Sequence, residues 1–443
     1  MSSTIEKSQN AAESALLALH KKFLDGNQPN VDLLSFNKKA LDIFESLKFP
    51  HRKHEMYTFV NTKGLADTLF SLKVKNSVQD SFVKQHIYAG CERSHLTFVD
   101  GALCPEFSDV TALGTSVKIG SLIEAIKDES FKNILQKSIE QENDVFASIN
   151  SAFMKQGIMV RVGRDKQVEV PLQILNVSSG GESGPVMTVP RAYIHLEPLS
   201  ELKLIIKYVG DGDNYFVNSV QDIVIEDNAT LTHIQIEADS KEAWNFSKNR
   251  IFLKRNSKYL GYQSVSGTRL VRNHNEVWLN EPGAEMELNG VSVLEEDEQS
   301  HQFIRVHHEV ENCISHQYFK NIINDRARAS FDGTVVVNKG AQLTNSDQLI
   351  NNLMLSDEGH ADCKPNLMIF ADDVKCAHGA TVGQLDDNQL FYLKTRGLSE
   401  SVAKEVLTQS FARSIVQKIP FEPVVKELDQ TLLKKLENNN GRL

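Results

Sequence analysis

The segments GAQLTNSDQL (Gly340–Leu349), GHADCKPNLMI (Gly359–Ile369) and GATVGQL (Gly379–Leu385) each begin with glycine and continue with alternating apolar positions. The three glycines recur at a nearly constant interval along the chain. Alternation with a period of two is typical of β-strands, and a small residue that recurs at a fixed interval is typical of stacked repeats. This spacing predicts a β-solenoid with one coil for about every 20 residues.

The alternating pattern begins near Gly157 and continues through NATLTHIQI (from Asn228), GAEMELNGV (from Gly283) and RARASFDGTVVV (from Arg326). The intervening sequence shows little helical signal, which argues against a sheet of strand–helix–strand units. We therefore predict a parallel β-helix core over residues 158–384, in which strands stacked ~4.8 Å apart form a prism roughly 50 Å long. A β-sandwich is the alternative.

Helical periodicity flanks this core on both sides. Residues 1–157 combine amphipathic helices with short alternating runs, and residues 385–443 are predicted to form three helices. The first of these has Asp386 or Asp387 near its N-cap and Gly397 just after its end. Because a stack of coils leaves open strand edges at its ends, we expect the C-terminal helices to cap one end.

Composition excludes several classes of function. The 48 Lys and Arg residues minus 58 Asp and Glu residues give a net charge of −10, which argues against nucleic-acid binding. Five scattered cysteines do not resemble a secreted disulfide scaffold, and no apolar run is long enough to span a membrane. These features predict a cytoplasmic protein. No Walker A loop or nucleophile-elbow motif is present, so we expect any ATP hydrolysis to come from a partner.

Cys376 and His378 are the candidate reactive pair. On a strand, residues two apart face the same side, and sulfur with imidazole is a ligand set for iron, zinc or copper. The alternative is a buried cysteine beside a histidine that bonds to a neighbouring coil. His360 and Cys363 could complete a four-ligand zinc site. However, the predicted repeat places Gly359 under Gly379, so the two pairs need not converge.

The stretch ADDVKCAHGATVGQLDDNQLFYLKTRG (Ala371–Gly397) resembles the SufB/SufD family of SUF iron–sulfur cluster assembly proteins, and within it the SufD branch. Further similarity lies in FPHRKHE (from Phe49), FVDG (from Phe98), VPRAYIHLE (from Val189) and YFVNSV (from Tyr215). The resemblance covers most of the chain. It implies a right-handed parallel β-helix with helical flanks, acting as a non-catalytic scaffold.

The same resemblance implies the partners. SufB and SufD pair through their β-helices, and each docks the ATPase SufC through its C-terminal helical part. In this chain that docking part includes Phe391, Tyr392, Arg396 and Gly397. Whether the chain alone forms a homodimer is left open.

The family's cysteine and histidine at the SufB interface fall on Cys376 and His378. The resemblance implies that this pair contributes to cluster assembly and iron acquisition. It would hold iron or a nascent cluster transiently, with nothing bound stably to the chain alone. Whether a flavin associates with the complex is left open. Two other functions are weighed against this one, a carbohydrate-active enzyme on a β-helix and a purely structural homo-oligomer.

Overall fold

The structure is a computed structural model that describes residues 2–26, 31–50, 54–72, 77–181 and 184–440. Residues 51–53, within the family-like stretch FPHRKHE, lie outside these ranges. The helices of the described residues are α1 (Ser2–Gly26), α2 (Val31–Leu47), α3 (Lys63–Ala66), α4 (Asp80–Gln85), α5 (Leu122–Ala125), α6 (Glu129–Glu140), α7 (Val145–Ala152), α8 (Asp387–Thr395), α9 (Glu400–Val416) and α10 (Glu422–Asn440). No helix of these ranges is long and apolar enough to cross a membrane.

Strands occupy most of the chain between the two helical flanks. They are β1 (His95–Val99), β2 (Ala102–Leu103), β3 (Val117–Ser121), β4 (Ile158–Val162), β5 (Leu172–Ser178), β6 (Val186–Thr188), β7 (Arg191–Leu196), β8 (Glu201–Gly210), β9 (Tyr215–Ile225), β10 (Thr230–Ala238), β11 (Trp244–Leu253), β12 (Lys258–Val265), β13 (Leu270–Leu279), β14 (Glu285–Leu294), β15 (Gln299–His308), β16 (Ile314–Ile323), β17 (Arg328–Val337), β18 (Asn345–Met354), β19 (His360–Ile369) and β20 (Lys375–Gly383).

These strands form two sheets, and the chain alternates between them. The first sheet has the order β2-β1-β5-β8-β10-β12-β14-β16-β18-β20, and the second has the order β19-β17-β15-β13-β11-β9-β7-β4-β3. All pairs are parallel except β1 with β2 and β3 with β4. One strand from each sheet makes a coil. The prediction of a parallel β-helix with helical flanks is confirmed.

The predicted repeat length was wrong. Strand registers pair Thr230 with Lys258, Lys258 with Glu285 and Glu285 with Ile314. One coil therefore takes roughly 28 residues, within the range of solenoid repeats. The solenoid has about seven turns, which corresponds to roughly 35 Å at strand spacing rather than 50 Å. The glycine spacing was misleading because the three glycines do not occupy equivalent positions in successive coils. Gly340 and Gly359 lie between strands at different corners, and Gly379 lies inside β20.

Aliphatic columns fill most of the space between the two sheets. Ile251, Val277, Val306 and Val335 occupy successive rungs of the second sheet, and each is fully buried. Full burial of such a side chain stabilises the fold by roughly 1.5–3 kcal/mol. These columns belong to a single apolar cluster that runs along the solenoid.

A polar layer interrupts this core near β10–β13. The Glu237 carboxyl accepts a hydrogen bond from the Gln235 amide, while its second oxygen is buried without a partner among the described residues. Burial raises the pKa of the Glu237 carboxyl to about 8. The acid is therefore held in its neutral form at pH 7.

The helical flanks cover the outer faces of the sheets. Phe146 of α7 packs on Phe216 and Phe246 of the second sheet at ring distances of 5.8 and 4.6 Å. Helices α9 and α10 pack on the outer face of the first sheet. The expectation that the C-terminal helices cap an open end was therefore wrong. They shield a side of the solenoid, because that face presents Ile205, Ile234 and Ile322 and has to be covered.

Asp144 is the centre of a buried ionic cluster that joins the N-terminal helices to the second sheet. Its carboxylate caps α7 and accepts hydrogen bonds from Arg272 (2.8 Å), His274 (2.7 Å) and Tyr57 (2.7 Å). Burial alone would raise the pKa of Asp144, but the charge of Arg272 and the hydrogen bond with His274 hold it well below its ordinary value. The carboxylate is therefore ionised and matched by a buried cation.

Candidate functional site

The last coil of the solenoid is the open end of the molecule. Strand β19 pairs only with β17, and strand β20 pairs only with β18, so each has one free edge among the described strands. Both strands are half-buried or exposed along their whole length, unlike those of the inner coils. The sequence-predicted pair, Cys376 and His378, lies on β20.

The free edge of β20 offers backbone groups for a further strand. In a parallel sheet, alternate residues point their N–H and C=O groups towards opposite neighbours. The amide of Lys375 donates to the Thr344 carbonyl at 2.8 Å and so points towards β18. Cys376, His378 and Ala380 consequently point their backbone groups away from the solenoid.

The free edge of β19 differs. The His360 amide donates to the Ala327 carbonyl at 3.0 Å, so His360 points inwards to β17. Because the direction alternates from residue to residue, Pro365, five residues after His360, lies at an outward position. Proline has no N–H and is found on edge strands, where it blocks pairing. The row of outward donors is therefore interrupted on β19 and continuous on β20.

Cys376 faces the interior of the solenoid at its open end. It stands in register with Ser346, which is buried, and its side chain packs against the interior core. Burial raises the pKa of the Cys376 thiol, and a backbone hydrogen bond with Ser346 acts in the opposite direction. The thiol is therefore protonated at neutral pH in the isolated chain, and it would lose its proton on binding a metal.

His378 lies two residues further along β20 and shares the face of Cys376. It is exposed, and it stands in register with the buried Gln348 of the preceding coil. The alternative of a buried, inert core pair fits poorly, because Cys376 is only half-buried and His378 is exposed. The pair forms an accessible S/N donor set at the mouth of the solenoid.

His360 and Cys363 lie on β19, in the opposite sheet. The Cys363 sulfur accepts a hydrogen bond from the Asn352 amide at 3.2 Å, and burial raises the pKa of its thiol. Gly379 stands in register with Leu349, not above Gly359. Within the described ranges, no three Cys, His, Asp or Glu side chains come together as a metal-binding group. The structure therefore gives no support to a four-ligand zinc site.

The predicted partner-binding residues lie together at the surface of α8. Phe391 and Tyr392 are 69% and 56% exposed. The Arg396 guanidinium lies 5.0 Å from the centre of the Tyr392 ring. Gly397 follows with a φ of +91°, which allows the sharp turn into α9. This apolar and cationic surface is called the α8 patch below.

Sequence reasoning missed the apolar rim of the open end. Met368, Ile369, Phe370 and Val382 are 40–59% exposed around β19 and β20. An exposed apolar cluster of this kind marks an interaction site more often than single exposed residues do. The strand pattern contained these residues, but the number of coils had to be known before the last coil could be recognised.

Two family models and several curated proteins match this chain. Residues 177–411 match the family model "SUF system FeS cluster assembly, SufBD core domain", and residues 14–174 match "SufBD protein N-terminal region". An iron–sulfur cluster assembly SufBD family protein of Synechocystis is 28% identical over 95% of each chain. The iron–sulfur cluster assembly protein SufD of Escherichia coli is 27% identical over 86% of this chain and 87% of its own.

Proposed function

This chain belongs to the SufBD family of SUF iron–sulfur cluster assembly proteins, and we propose that it is a scaffold subunit of the SufD type. In this proposal it pairs with SufB through the open end of the solenoid and binds the ATPase SufC through the α8 patch. The observation that carries the proposal is the free edge of β20, which presents Cys376 and His378 at an unfinished coil.

A partner strand on this edge would complete the coil and the ligand set together. Its backbone would bond to the outward groups of β20, and its apolar side chains would cover Val382. Cys376 and His378 supply one sulfur and one nitrogen, which is about half of the donors that iron or a small cluster needs. A thiolate and a carboxylate from the partner would supply the rest. The iron or cluster is cargo, held during assembly and passed on.

The α8 patch provides the second attachment. Helix α8 is joined to α9 by an ion pair between Lys394 and Glu400 at 2.9 Å, and α9 packs on the first sheet. A movement of SufC that displaces α8 would therefore act on the solenoid through α9. The chain supplies no ATP chemistry of its own in this proposal.

Co-purification and iron loading test the proposal. The chain should co-purify with SufB and SufC when the three are co-expressed, and His378→Ala should lower the iron–sulfur absorption of the complex. His378→Ala should leave the isolated chain folded, because His378 is exposed at the end of the solenoid. Full cluster loading in the variant complex would contradict the assigned role. The isolated wild-type chain should show weak iron–sulfur absorption, because it holds half of the donors.

A further inference from the structure

A column of polar side chains leads to His378 inside the solenoid. Gln317 of β16, Gln348 of β18 and His378 of β20 stand in register on three successive rungs. The Gln348 amide nitrogen donates to the Gln317 carbonyl oxygen at 3.4 Å, and both glutamines are 1% exposed or less. The side chains therefore form the start of an amide ladder whose next rung is His378.

The opposite sheet makes room for this amide. Gly333 of β17 faces Gln348, and a Cβ at Gly333 would lie 2.7 Å from the Gln348 amide nitrogen. The absence of a side chain at residue 333 thus leaves the space that Gln348 occupies. This fit fixes the position of the amide along the column.

The carbonyl oxygen of Gln348 has no hydrogen-bond partner among the described residues, although it is buried. An unsatisfied buried acceptor costs roughly 1–3 kcal/mol. Because the amide nitrogen is used towards β16, the oxygen is left for the side of β20. The group that stands on that side, one rung away, is the imidazole of His378. Rungs are spaced ~4.8 Å apart, so a rotation of the exposed His378 side chain brings a ring nitrogen within hydrogen-bond distance.

We propose that Gln348 is a positioning residue for His378, and that its carbonyl oxygen accepts a hydrogen bond from one imidazole N–H. This bond would fix the tautomer and direct the other ring nitrogen towards the open end, as outer hydrogen bonds do for metal-binding histidines. The consequence for iron or cluster loading rests on the function proposed above. The consequence for the tautomer of His378 does not.

Nitrogen NMR of the chain labelled with ¹⁵N-histidine tests the hydrogen bond directly. His378 is assigned by the signal that His378→Gln removes. Wild-type His378 is expected in one dominant tautomer, whereas Gln348→Met should shift it towards the mixture of a solvent-exposed histidine. Gln302→Met is the matched control, because Gln302 is also buried with an unpartnered oxygen but lies on β15. A mixed tautomer in the wild-type chain overturns the proposal, and so does an unchanged spectrum in Gln348→Met.

Iron loading of the complex distinguishes the positioning role of Gln348 from the proposed function of His378. Gln348→Met should lower iron retention roughly tenfold, the usual effect of losing an outer hydrogen bond to a metal ligand, while Gln302→Met retains the wild-type value. Suppose that Gln348→Met shifts the tautomer, but that iron loading is normal in both Gln348→Met and His378→Ala. This result would refute the role of His378 in loading and would support the hydrogen bond. Reduced loading in His378→Ala with normal loading in Gln348→Met would refute the positioning role.

Discussion

A single proline on β20 can separate partner docking from folding. The Lys375 amide points towards β18, and the direction of the backbone groups alternates along the strand. Ala380 therefore lies at an outward position of β20, and its backbone N–H has no strand partner in the isolated chain. Ala380→Pro removes this donor and places a ring in its position. The side chain is exposed at the open mouth, so the ring meets no packed neighbour. The stability of the isolated chain should change by less than about 0.5 kcal/mol.

Docking should respond differently. A strand added to β20 would need the Ala380 N–H for one bond and would meet the proline ring at close range. Loss of that bond, with an acceptor of the partner left unsatisfied, costs about 1.4–2.8 kcal/mol. This corresponds to a roughly 10- to 100-fold larger dissociation constant for SufB.

Ala377→Pro is the matched control, since it makes the same substitution three residues earlier on the same strand. By the same alternation, the Ala377 N–H points to β18, where the residue stands in register with Asp347. Its loss should destabilise the isolated chain by about 2 kcal/mol or more. Thermal unfolding of both variants measures their stability, and calorimetric titration with SufB measures their dissociation constants. Wild-type affinity in Ala380→Pro would refute docking at β20, and equal destabilisation by both prolines would refute the assigned direction of the edge.

Three further perturbations test other parts of the molecule. Phe391→Ser on the α8 patch should weaken SufC binding in a pull-down without changing the melting temperature, because the ring is 69% exposed. Asp144→Asn should lower the free energy of unfolding by about 3–5 kcal/mol in urea titration, because it leaves the buried Arg272 without a counter-charge. Glu237→Gln should flatten the decline of the melting temperature between about pH 5 and 8. The folded chain keeps the Glu237 proton up to a pKa of about 8, whereas the unfolded chain releases it near 4.5, so wild-type stability falls as pH rises between these values.

Each of these has a result that would contradict it. Leu69→Ser is the control for Phe391→Ser, since Leu69 is 68% exposed outside the C-terminal helices, and equal SufC loss in both would remove the α8 patch from the interface. A loss under about 1 kcal/mol in Asp144→Asn would show that Arg272 finds another partner. Parallel pH curves for Glu237→Gln and wild type would mean that the carboxyl is ionised when buried.

The sequence predicted the fold class and the strand that carries the site, but it did not predict the coil length. The true repeat is marked at one corner by residues with positive φ, which are Leu199, Asn228, Asn256, Gly283, Asn312 and Leu343. Neighbours in this series lie one coil apart. Asn and Gly accept this left-handed conformation most readily, and a short buried residue follows each one. Leu199 and Leu343 depart from this Asn/Gly pattern, and the glycines near Leu343 suggested a shorter period.

That error explains which site residues were missed. Cys376 and His378 could be placed on one strand face from their spacing alone, because a period of two needs no knowledge of the fold. The relation between Gln348 and His378 crosses from one coil to the next and exists only in the observed register. The outward position of Pro365 likewise depends on which amide of β19 bonds to β17. The local sequence pattern therefore predicted the candidate ligands Cys376 and His378. The residues around them could be identified only from the register between coils.

The two ends of the solenoid differ in how their strand edges are finished. At the N-terminal end the sheets finish in β2 and β3, short strands of two and five residues that return antiparallel on β1 and β4. At the other end they finish in β19 and β20, strands of ten and nine residues with exposed apolar neighbours. Long uncovered edges are sites of pairing with another chain. Under the proposed function a second protein completes the last coil, since α9 and α10 cover a side face instead of this end. Pro365 would favour pairing at the other strand, which carries Cys376 and His378.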